Sequence, residues 1–313
     1  MTKRKTKLSG HRPGKAAQKS GPGSPESPGR RRRDSSQSAR DGRHSGGRGG
    51  GLWLYGVHPV LAALANPRRR IDRLLLSPEA AQTWGQRLRQ ERDPRHERLS
   101  PETLDRRGIE AFLPEGAVHQ GLAARAAPLE QPAIEDIAIA PLAAPKAEPE
   151  GAAGTEMEAG APPARRVILL LDQVTDPHNV GAVLRSAAAF GAQAVVALDK
   201  GAPEESGTLA KSASGALEVV PYIKVTNLAR TLDSLKEAGY WCWGLAGEAG
   251  QSLAGSRPAE AVALVLGAEG SGLRRLTRER CDLLVKLPTR APIQALNISN
   301  AAAVALYELL GRD

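Results

Sequence analysis

Three loops in the C-terminal half of the sequence contain the residue types that bind ligands and assist reactions. They span residues 172–179, 267–272 and 287–299, and each follows an apolar stretch and precedes a helix-forming one. The residues that stand out are Asn179 and Arg185 in and after the first loop, and the polar step Asn297–Ile298–Ser299–Asn300 at the end of the third. Amides and a hydroxyl exchange hydrogen bonds with a polar substrate, and a guanidinium binds phosphate through a forked pair of donors. We interpret the three loops as the walls of one site.

The first loop precedes a helix whose start could receive a phosphate or an oxygen nucleophile. Asn179 has a side chain preferred at a helix N-cap, and the positive end of the helix dipole lies behind it. Arg185 follows six residues later, nearly two turns along, so spacing does not place it beside Asn179. The two converge only if the arginine side chain extends back toward the helix start. An ordinary cap and a surface arginine explain the spacing equally well.

The glycine loop at residues 267–272 lacks two common nucleotide-binding motifs. Its spacing is G-x-x-G-x-G, which differs from the dinucleotide motif G-x-G-x-x-G, and no P-loop lysine follows. Its glycines allow the backbone to approach a flat ligand closely. Four arginines follow on the next predicted helix: Arg274, Arg275, Arg278 and Arg280. This cluster is suited to phosphate contact, and a solvated helix face explains it nearly as well.

The elements that must position these loops alternate between strand and helix from Arg165 onward. We predict strands at residues 167–172, 194–198, 218–222, 240–246, 261–266 and 282–287. We predict helices at residues 180–190, 207–214, 228–238, 273–280 and 298–310. Strands that are apolar throughout are covered on both faces, which indicates an α/β fold with a mostly parallel sheet. Ligands bind beyond the carboxyl ends of such strands, where all three loops begin.

The region before this sheet predicts a smaller α/β domain at residues 51–128. A helix at 60–65, a strand at 71–76, a helix at 80–91 and a strand at 109–113 alternate along it. The stretch 129–164 is rich in Ala, Pro and Glu, which predicts a semi-stiff linker that lets the two domains reorient. The larger domain then occupies residues 165–313.

The charge of the chain is concentrated at its N-terminus. The whole chain of 313 residues has a net charge of +9, whereas residues 1–50 alone have +11. Residues 51–128 have +3, residues 129–164 have −6 and residues 165–313 have +1. A basic tail set among Gly, Ser and Pro is predicted to be disordered and to bind a polyanion by counterion release. The alternative is a merely solubilising extension.

Several other classes of protein do not fit this sequence. Cys242 and Cys281 are the two cysteines, and neither a disulfide framework nor a metal-ligand spacing is present. We expect both to be buried small hydrophobic residues. No apolar run approaches the roughly 18 residues that cross a bilayer, and no secretory signal follows the basic N-terminus. The sequence therefore predicts a cytoplasmic protein without a metal and without a membrane segment.

Three sequence blocks together resemble the SpoU/TrmH (SPOUT) family of RNA ribose 2′-O-methyltransferases. They read DQVTDPHNVGAVLRSAAAFGA, LVLGAEGSGLRRLTRE and LPTRAPIQALNISNAAAVALYEL, and the resemblance covers residues 165–310 almost continuously. The stretches YGVHPVLAAL and EGAVHQGLAAR, within residues 51–128, are similar to the small substrate-binding domain of bacterial enzymes that methylate a guanosine ribose in large-subunit rRNA. Three blocks in order, plus that domain, make a specific match.

The resemblance implies a fold, a methyl donor and an assembly. It implies a C-terminal trefoil knot, an L30e-like substrate-binding domain and a homodimer. S-adenosylmethionine would be the methyl donor, bound at Gly267, Leu287 and Leu296 with the Gly247–Glu248 loop nearby. By the same resemblance, the catalytic pocket would be lined by Asn179, Arg185, Glu269, Asn297 and Ser299.

The implied reaction is 2′-O-methylation of a ribose, we expect of a guanosine, in large-subunit rRNA. An arginine with a pKa above about 12 is a poor base, so we expect Arg185 to hold a phosphate and polarise the 2′-oxygen. Ala295 stands where the family usually has a serine, and Thr289–Arg290 is also atypical. The alternatives are a tRNA ribose methyltransferase and a non-catalytic RNA-binding or ribosome-assembly protein.

Overall fold

The computed structural model describes residues 51–139, 165–256, 259–290 and 295–311, which form two β-sheets with packed helices. The predicted basic tail at 1–50 and most of the predicted linker, residues 140–164, lie outside the described residues. No helix of the described part is long and apolar enough to cross a membrane.

The smaller sheet has four strands and is built from residues 52–126. Its elements are β1 Leu52–Tyr55, α1 Val57–Ala65, β2 Ile71–Leu76, α2 Pro78–Gln90, β3 Glu102–Thr103, α3 Arg106–Glu110 and β4 Leu122–Ala126. The strand order is β1-β4-β2-β3, in which β4 pairs antiparallel with both β1 and β2. Helices and strands alternate along this region.

One predicted strand in this region was wrong, and the strands β1, β3 and β4 were not predicted. Residues predicted as a strand at 109–113 belong largely to α3 and its C-terminal turn, which Asp105 caps by accepting a hydrogen bond from the Gly108 N–H at 2.8 Å. A run of five residues that are mostly apolar, here IEAFL, does not distinguish helix from strand by periodicity. The missed strand β4 is rich in alanine, which has low strand propensity, so pairing on both sides decides its structure.

The larger sheet has seven strands, and its neighbouring strands pair in parallel. Its elements are β5 Arg166–Asp172, α5 Pro177–Phe190, β6 Ala194–Leu198, α6 Gly207–Ala213, β7 Tyr222–Val225, α7 Leu228–Glu237, β8 Trp241–Leu245, β9 Gln251–Ser252, β10 Ala261–Gly267, α8 Arg275–Glu279, β11 Leu283–Lys286 and α9 Ile298–Leu310. The order is β7-β6-β5-β10-β8-β11-β9. The central strands β5 and β10 are almost fully buried, which confirms the mostly parallel sheet covered on both faces.

Two further predictions in this region were wrong in detail. The strand predicted at 218–222 begins four residues later, as β7 at Tyr222, and a short 3₁₀ helix, Ala216–Glu218, precedes it. Pro221 has no N–H to donate to a strand ladder, and β7 begins directly after it. The predicted linker also starts with a helix, α4 Ile134–Ile139, whose Ile134 and Ala138 are buried. These two side chains lie four residues apart on one helix face, so the composition of the linker concealed a packed helix.

A buried ion network joins the two sheets. Arg69, just before β2, donates from Nη2 to Glu218 at 2.6 Å and from Nη1 to Glu205 at 2.6 Å. Its side chain is fully buried, and its Nη1 also donates to the Ala127 carbonyl at 2.8 Å. Asn66 donates to the second oxygen of Glu218 at 2.8 Å. Because these charges are paired and hydrogen-bonded, they are compatible with burial.

Candidate active site

Three of the predicted site residues meet at the carboxyl ends of the central strands. The Asn297 amide nitrogen donates to Glu269 Oε1 at 2.6 Å and to Asn179 Oδ1 at 3.0 Å. The Asn179 amide nitrogen lies 3.4 Å from the same Glu269 oxygen. We call these residues the amide–carboxylate cluster. Each of its members comes from a different one of the three loops, so the structure brings the loops together.

Ser299 fixes the orientation of the Asn297 amide. Asn297 is the N-cap of α9, and its Oδ1 accepts hydrogen bonds from the Ser299 backbone N–H at 2.9 Å and from the Ser299 hydroxyl at 2.5 Å. Because the oxygen is used by this cap, the NH₂ group is directed at Glu269. Ser299 is thus the fourth predicted residue that the structure places at the cluster.

The prediction that Asn179 caps α5 was wrong. The helix begins three residues earlier than predicted, at Pro177, and Asp176 is the cap, because its carboxylate accepts from the His178 N–H at 3.0 Å. Pro177 is favoured at the first helical position, where its missing N–H costs no hydrogen bond. Asn179 therefore lies within the first turn, and its side chain contributes to the cluster instead of capping the helix.

Arg185 is the predicted site residue that the structure leaves apart. It lies six residues beyond Asn179 on α5, which is about 9 Å along the helix axis and roughly 120° around it. Its side chain is exposed and makes no hydrogen bond or ion pair within the described part of the chain. The convergence of Arg185 and Asn179 that the sequence left open does not occur within this single chain.

A cavity of about 470 Å³ adjoins the cluster, and all four residues predicted to bind the donor line it. These residues are Gly247, Gly267, Leu287 and Leu296. Glu269 and Ala295 line it as well. Glu269 is therefore shared between the cavity and the cluster.

Close backbone packing forms one wall of this cavity. A Cβ atom added to Gly267 would lie 2.2 Å from the Gly272 carbonyl carbon and 2.5 Å from the Leu273 nitrogen. Ala268 and Gly272 form an isolated β-bridge that closes the loop upon itself. The loop thus presents backbone groups, with little side chain, to whatever occupies the cavity.

The arginines of the α8 region are each paired with a carboxylate. Arg275 pairs with Glu279 and Arg280 with Asp233, while Arg278 pairs with Glu248 at the cavity. A backbone hydrogen bond, and secondarily Arg278, lowers the pKa of Glu248. These pairs favour the interpretation of this cluster as a solvated, internally neutralised face over that of a phosphate site.

Asp172 is a structural residue of the site to which the sequence assigned no role. It is fully buried at the end of β5, and its two oxygens accept from the Arg274 backbone N–H at 3.0 Å and from Arg274 Nε at 2.6 Å. The pair fixes the start of α8 behind the glycine loop. A carboxylate that directly ends an apolar strand was the signal that could have identified it.

Comparison with known proteins decides the family. Residues 166–307 match the SpoU rRNA Methylase family, and residues 53–132 match the model for RNA 2′-O ribose methyltransferase substrate binding. The chain is 38% identical over 268 residues to the 23S rRNA (guanosine-2′-O-)-methyltransferase RlmB of Vibrio vulnificus, covering 82% of this chain and 95% of that protein. The chain belongs to the SpoU rRNA methylase family.

Two further relatives agree with this family membership. RlmB of Escherichia coli K12 is 37% identical over 266 residues, covering 82% of this chain and 96% of that enzyme. The SpoU methyltransferase AviRb from Streptomyces viridochromogenes, solved in complex with AdoMet, superposes with a TM-score of 0.64 at 21% identity. That superposition covers 84% of this chain and 90% of AviRb, and it shows a shared fold.

Proposed function

We propose that the chain transfers a methyl group from S-adenosylmethionine to the ribose 2′-hydroxyl of a guanosine in 23S rRNA. The observation that carries this proposal is that Glu269 belongs to both parts of the site. Its side chain lines the cavity and accepts a hydrogen bond from the Asn297 amide at 2.6 Å. A donor in the cavity and a hydroxyl at the cluster would then be neighbours. The RlmB relatives support guanosine in 23S rRNA as the acceptor.

The lining of the cavity fits the proposed donor. Its volume lies within the range of small-molecule sites, roughly 300–1,000 Å³. Leu287 and Leu296 offer apolar surface to a flat base, and Gly247 and Gly267 leave backbone groups accessible. When bound, S-adenosylmethionine supplies an activated methyl group. The protein must then place the 2′-hydroxyl in line and assist the loss of its proton.

The amide–carboxylate cluster supplies the groups that orient the acceptor. Glu269 accepts hydrogen bonds and so can receive one from a hydroxyl, while Asn179 and Asn297 offer amide groups to the ribose and its neighbours. Ser299 holds the Asn297 amide in the required orientation. We assign these four residues to acceptor positioning and Arg185 to phosphate binding and polarisation of the 2′-oxygen.

We propose further that two copies of the chain pair through α5 and α9. Val304 and Tyr307 on α9 are 47% and 51% exposed, large for apolar and aromatic side chains. Ala189 and Arg185 lie on the exposed side of the adjoining helix α5. Pairing through this layer would cover the apolar surface and direct Arg185 toward the cluster of the partner, since its own cluster lies on another side of α5.

Mixing two inactive variants tests this shared site. Co-expressed copies carrying Arg185→Ala and Asn297→Ala should regain methyl transfer that neither variant has alone, because one pocket of the mixed dimer is then intact. A mixture as inactive as its components would show that each pocket uses its own Arg185.

The remaining features of the proposal follow the family. Residues 51–128 would act as the RNA-binding domain, supported by the substrate-binding match at 53–132. The C-terminal segment would thread as a trefoil knot, residues 129–164 would link the domains, and the basic tail would add salt-sensitive affinity for rRNA. We place the reaction in the cytoplasm, with the rRNA or its precursor as partner.

Mapping ribose methylation in 23S rRNA tests the proposed activity. RNA from cells that have the protein should contain one 2′-O-methylguanosine that is missing from cells lacking it. Restoring the wild-type gene should restore the methyl group, whereas the Asn297→Ala gene should not. Identical methylation in both RNAs would contradict the proposal and favour a non-catalytic RNA-binding role.

A further inference from the structure

One face of α6 connects the smaller sheet to the amide–carboxylate cluster. Thr208, Lys211 and Ser212 are spaced i, i+3 and i+4, so their side chains lie on the same side of this helix. Thr208 lies 3.3 Å from the Tyr55 hydroxyl of β1, in the smaller sheet. At the other end, Ser212 Oγ lies 3.0 Å from Nδ1 of His178, the residue before Asn179. This face of α6 thus extends from the smaller sheet to the amide–carboxylate cluster.

Lys211 is an uncompensated cation in the middle of this face. Its ammonium donates to the neutral Gln120 Oε1 at 2.7 Å, and it pairs with no carboxylate among the residues that the structure describes. The lysine is half-buried, and this burial lowers its pKa. The four arginines of the α8 region, in contrast, are each matched by an acidic partner.

An anion is the kind of ligand that would stabilise the Lys211 ammonium. A partly desolvated ammonium without a counter-charge is unfavourable, and a phosphate oxygen would provide the missing charge and accept its hydrogen bond. Gln120 holds the ammonium in place: its Oε1 also accepts from the Val57 N–H at 3.4 Å. Its backbone has a φ of 55°, which a residue other than glycine rarely adopts.

We infer that Lys211 binds a backbone phosphate of the acceptor RNA strand as this strand passes from the smaller sheet to the amide–carboxylate cluster. This inference rests on the proposed function, for which it names a positioning residue. Lys211 lies one residue from Ser212, which contacts the residue preceding Asn179. A phosphate at Lys211 would therefore lie within a nucleotide or two of the ribose at the cluster. Gln120 would set the position of the lysine, and Lys211 would set the register of the strand.

Steady-state kinetics and RNA binding of Lys211→Ala test the inference on the full-length chain. The KM for 23S rRNA fragments should rise about tenfold, as expected for the loss of one charge-assisted hydrogen bond, with kcat within about twofold of wild type. The slope of log affinity against log salt should fall by roughly one. Lys211→Arg keeps the charge and should recover most of the affinity.

Lys236→Ala provides the matched control, since it removes one positive charge from a lysine on α7 that pairs with Asp282. It should leave both KM and the salt slope near the wild-type values. If Lys211→Ala behaves like Lys236→Ala, the inference is wrong. A lower melting temperature for Lys211→Ala with an unchanged salt slope would also overturn it, by showing a packing role.

The salt slope separates this inference from the proposed function. It is measured by binding alone, so it reports on Lys211 even if the wild-type chain transfers no methyl group. Absence of transfer by wild type with an altered slope in Lys211→Ala would refute the activity and retain the phosphate site. Normal transfer by the wild type with an unaltered slope in Lys211→Ala would support the activity and refute the phosphate site.

Discussion

The candidate site has two halves, the cavity for the donor and the amide–carboxylate cluster for the acceptor, and different kinds of chemical group form them. The cavity is formed by glycine backbone and apolar side chains, among them Gly267, Leu287 and Leu296. The amide–carboxylate cluster is formed by polar side chains that hydrogen-bond one another across three loops. Backbone groups tolerate most substitutions nearby unless an added atom collides with them. Side-chain groups are lost with a single substitution, so the acceptor half should be the more sensitive to mutation.

The largest expected effect is on the rate of methyl transfer, when a residue that contacts the acceptor RNA is replaced. Arg185→Ala should lower the rate of methyl transfer about 100-fold or more, the range typical of a residue that assists proton transfer. The affinity for S-adenosylmethionine, measured by calorimetry, should stay unchanged because Arg185 lies outside the cavity. Arg185→Lys keeps the charge without the fork and should recover part of the rate. A variant retaining a tenth of the wild-type rate would exclude Arg185 from the chemistry.

The next effect is on the donor side. Gly267→Ala should weaken donor binding about tenfold, because the added Cβ would lie 2.2 Å from the Gly272 carbonyl carbon and must displace the loop. Gly250→Ala is the control, since a Cβ at Gly250 meets nothing within 4 Å. Calorimetric titration of both variants makes the comparison. Equal affinities would show that close backbone packing is not what shapes the cavity.

A moderate effect is expected where the two halves meet. Ala295 lines the cavity two residues before Asn297. The family resemblance predicts a serine at this position. Ala295→Ser should change the transfer rate or RNA affinity by less than about fivefold, since one exposed hydroxyl adds at most a modest hydrogen bond. Single-turnover rates decide this. A large gain would instead show that the natural chain lacks a group on which the reaction depends.

The smallest effect concerns groups outside both halves. Burial raises the pKa of the Cys242 and Cys281 thiols to about 12, so both are protonated at pH 8 and react slowly. A thiol reagent should label neither cysteine in the native protein and both after unfolding in guanidinium. Methyl transfer should be unaffected by the reagent. Rapid labelling of the native protein would place a reactive thiolate where the structure has an inert one.

Local sequence signals predicted the elements of the larger sheet well. The strand 194–198 and the helix 298–310 have the predicted bounds, because each is a strongly patterned segment with clear ends. The four cavity residues and the cluster also meet as expected, since parallel strands deliver their loops to one edge of the sheet.

Features that depend on tertiary contacts could not be predicted in this way. The cap of α5 is a different case, since Asp176 and Pro177 are a local signal that the interpretation of Asn179 as the cap overlooked. The strand β4 exists through pairing on both sides, which its alanines do not indicate. The direction of Arg185 depends on which side of α5 packs against the sheet. Lys211 could not be selected from the sequence, because its lack of a carboxylate partner among the described residues is visible only in the structure.

Mass spectrometry of nucleosides and of RNase fragments, after incubating the purified protein with S-adenosylmethionine and 23S rRNA that lacks the modification, shows which atom and which position receive the methyl group. We predict 2′-O-methylguanosine as the one new nucleoside, at one position, formed by wild type and Gly250→Ala and absent with Arg185→Ala. A methyl group on a base, or no new methylated nucleoside with wild type, would contradict it.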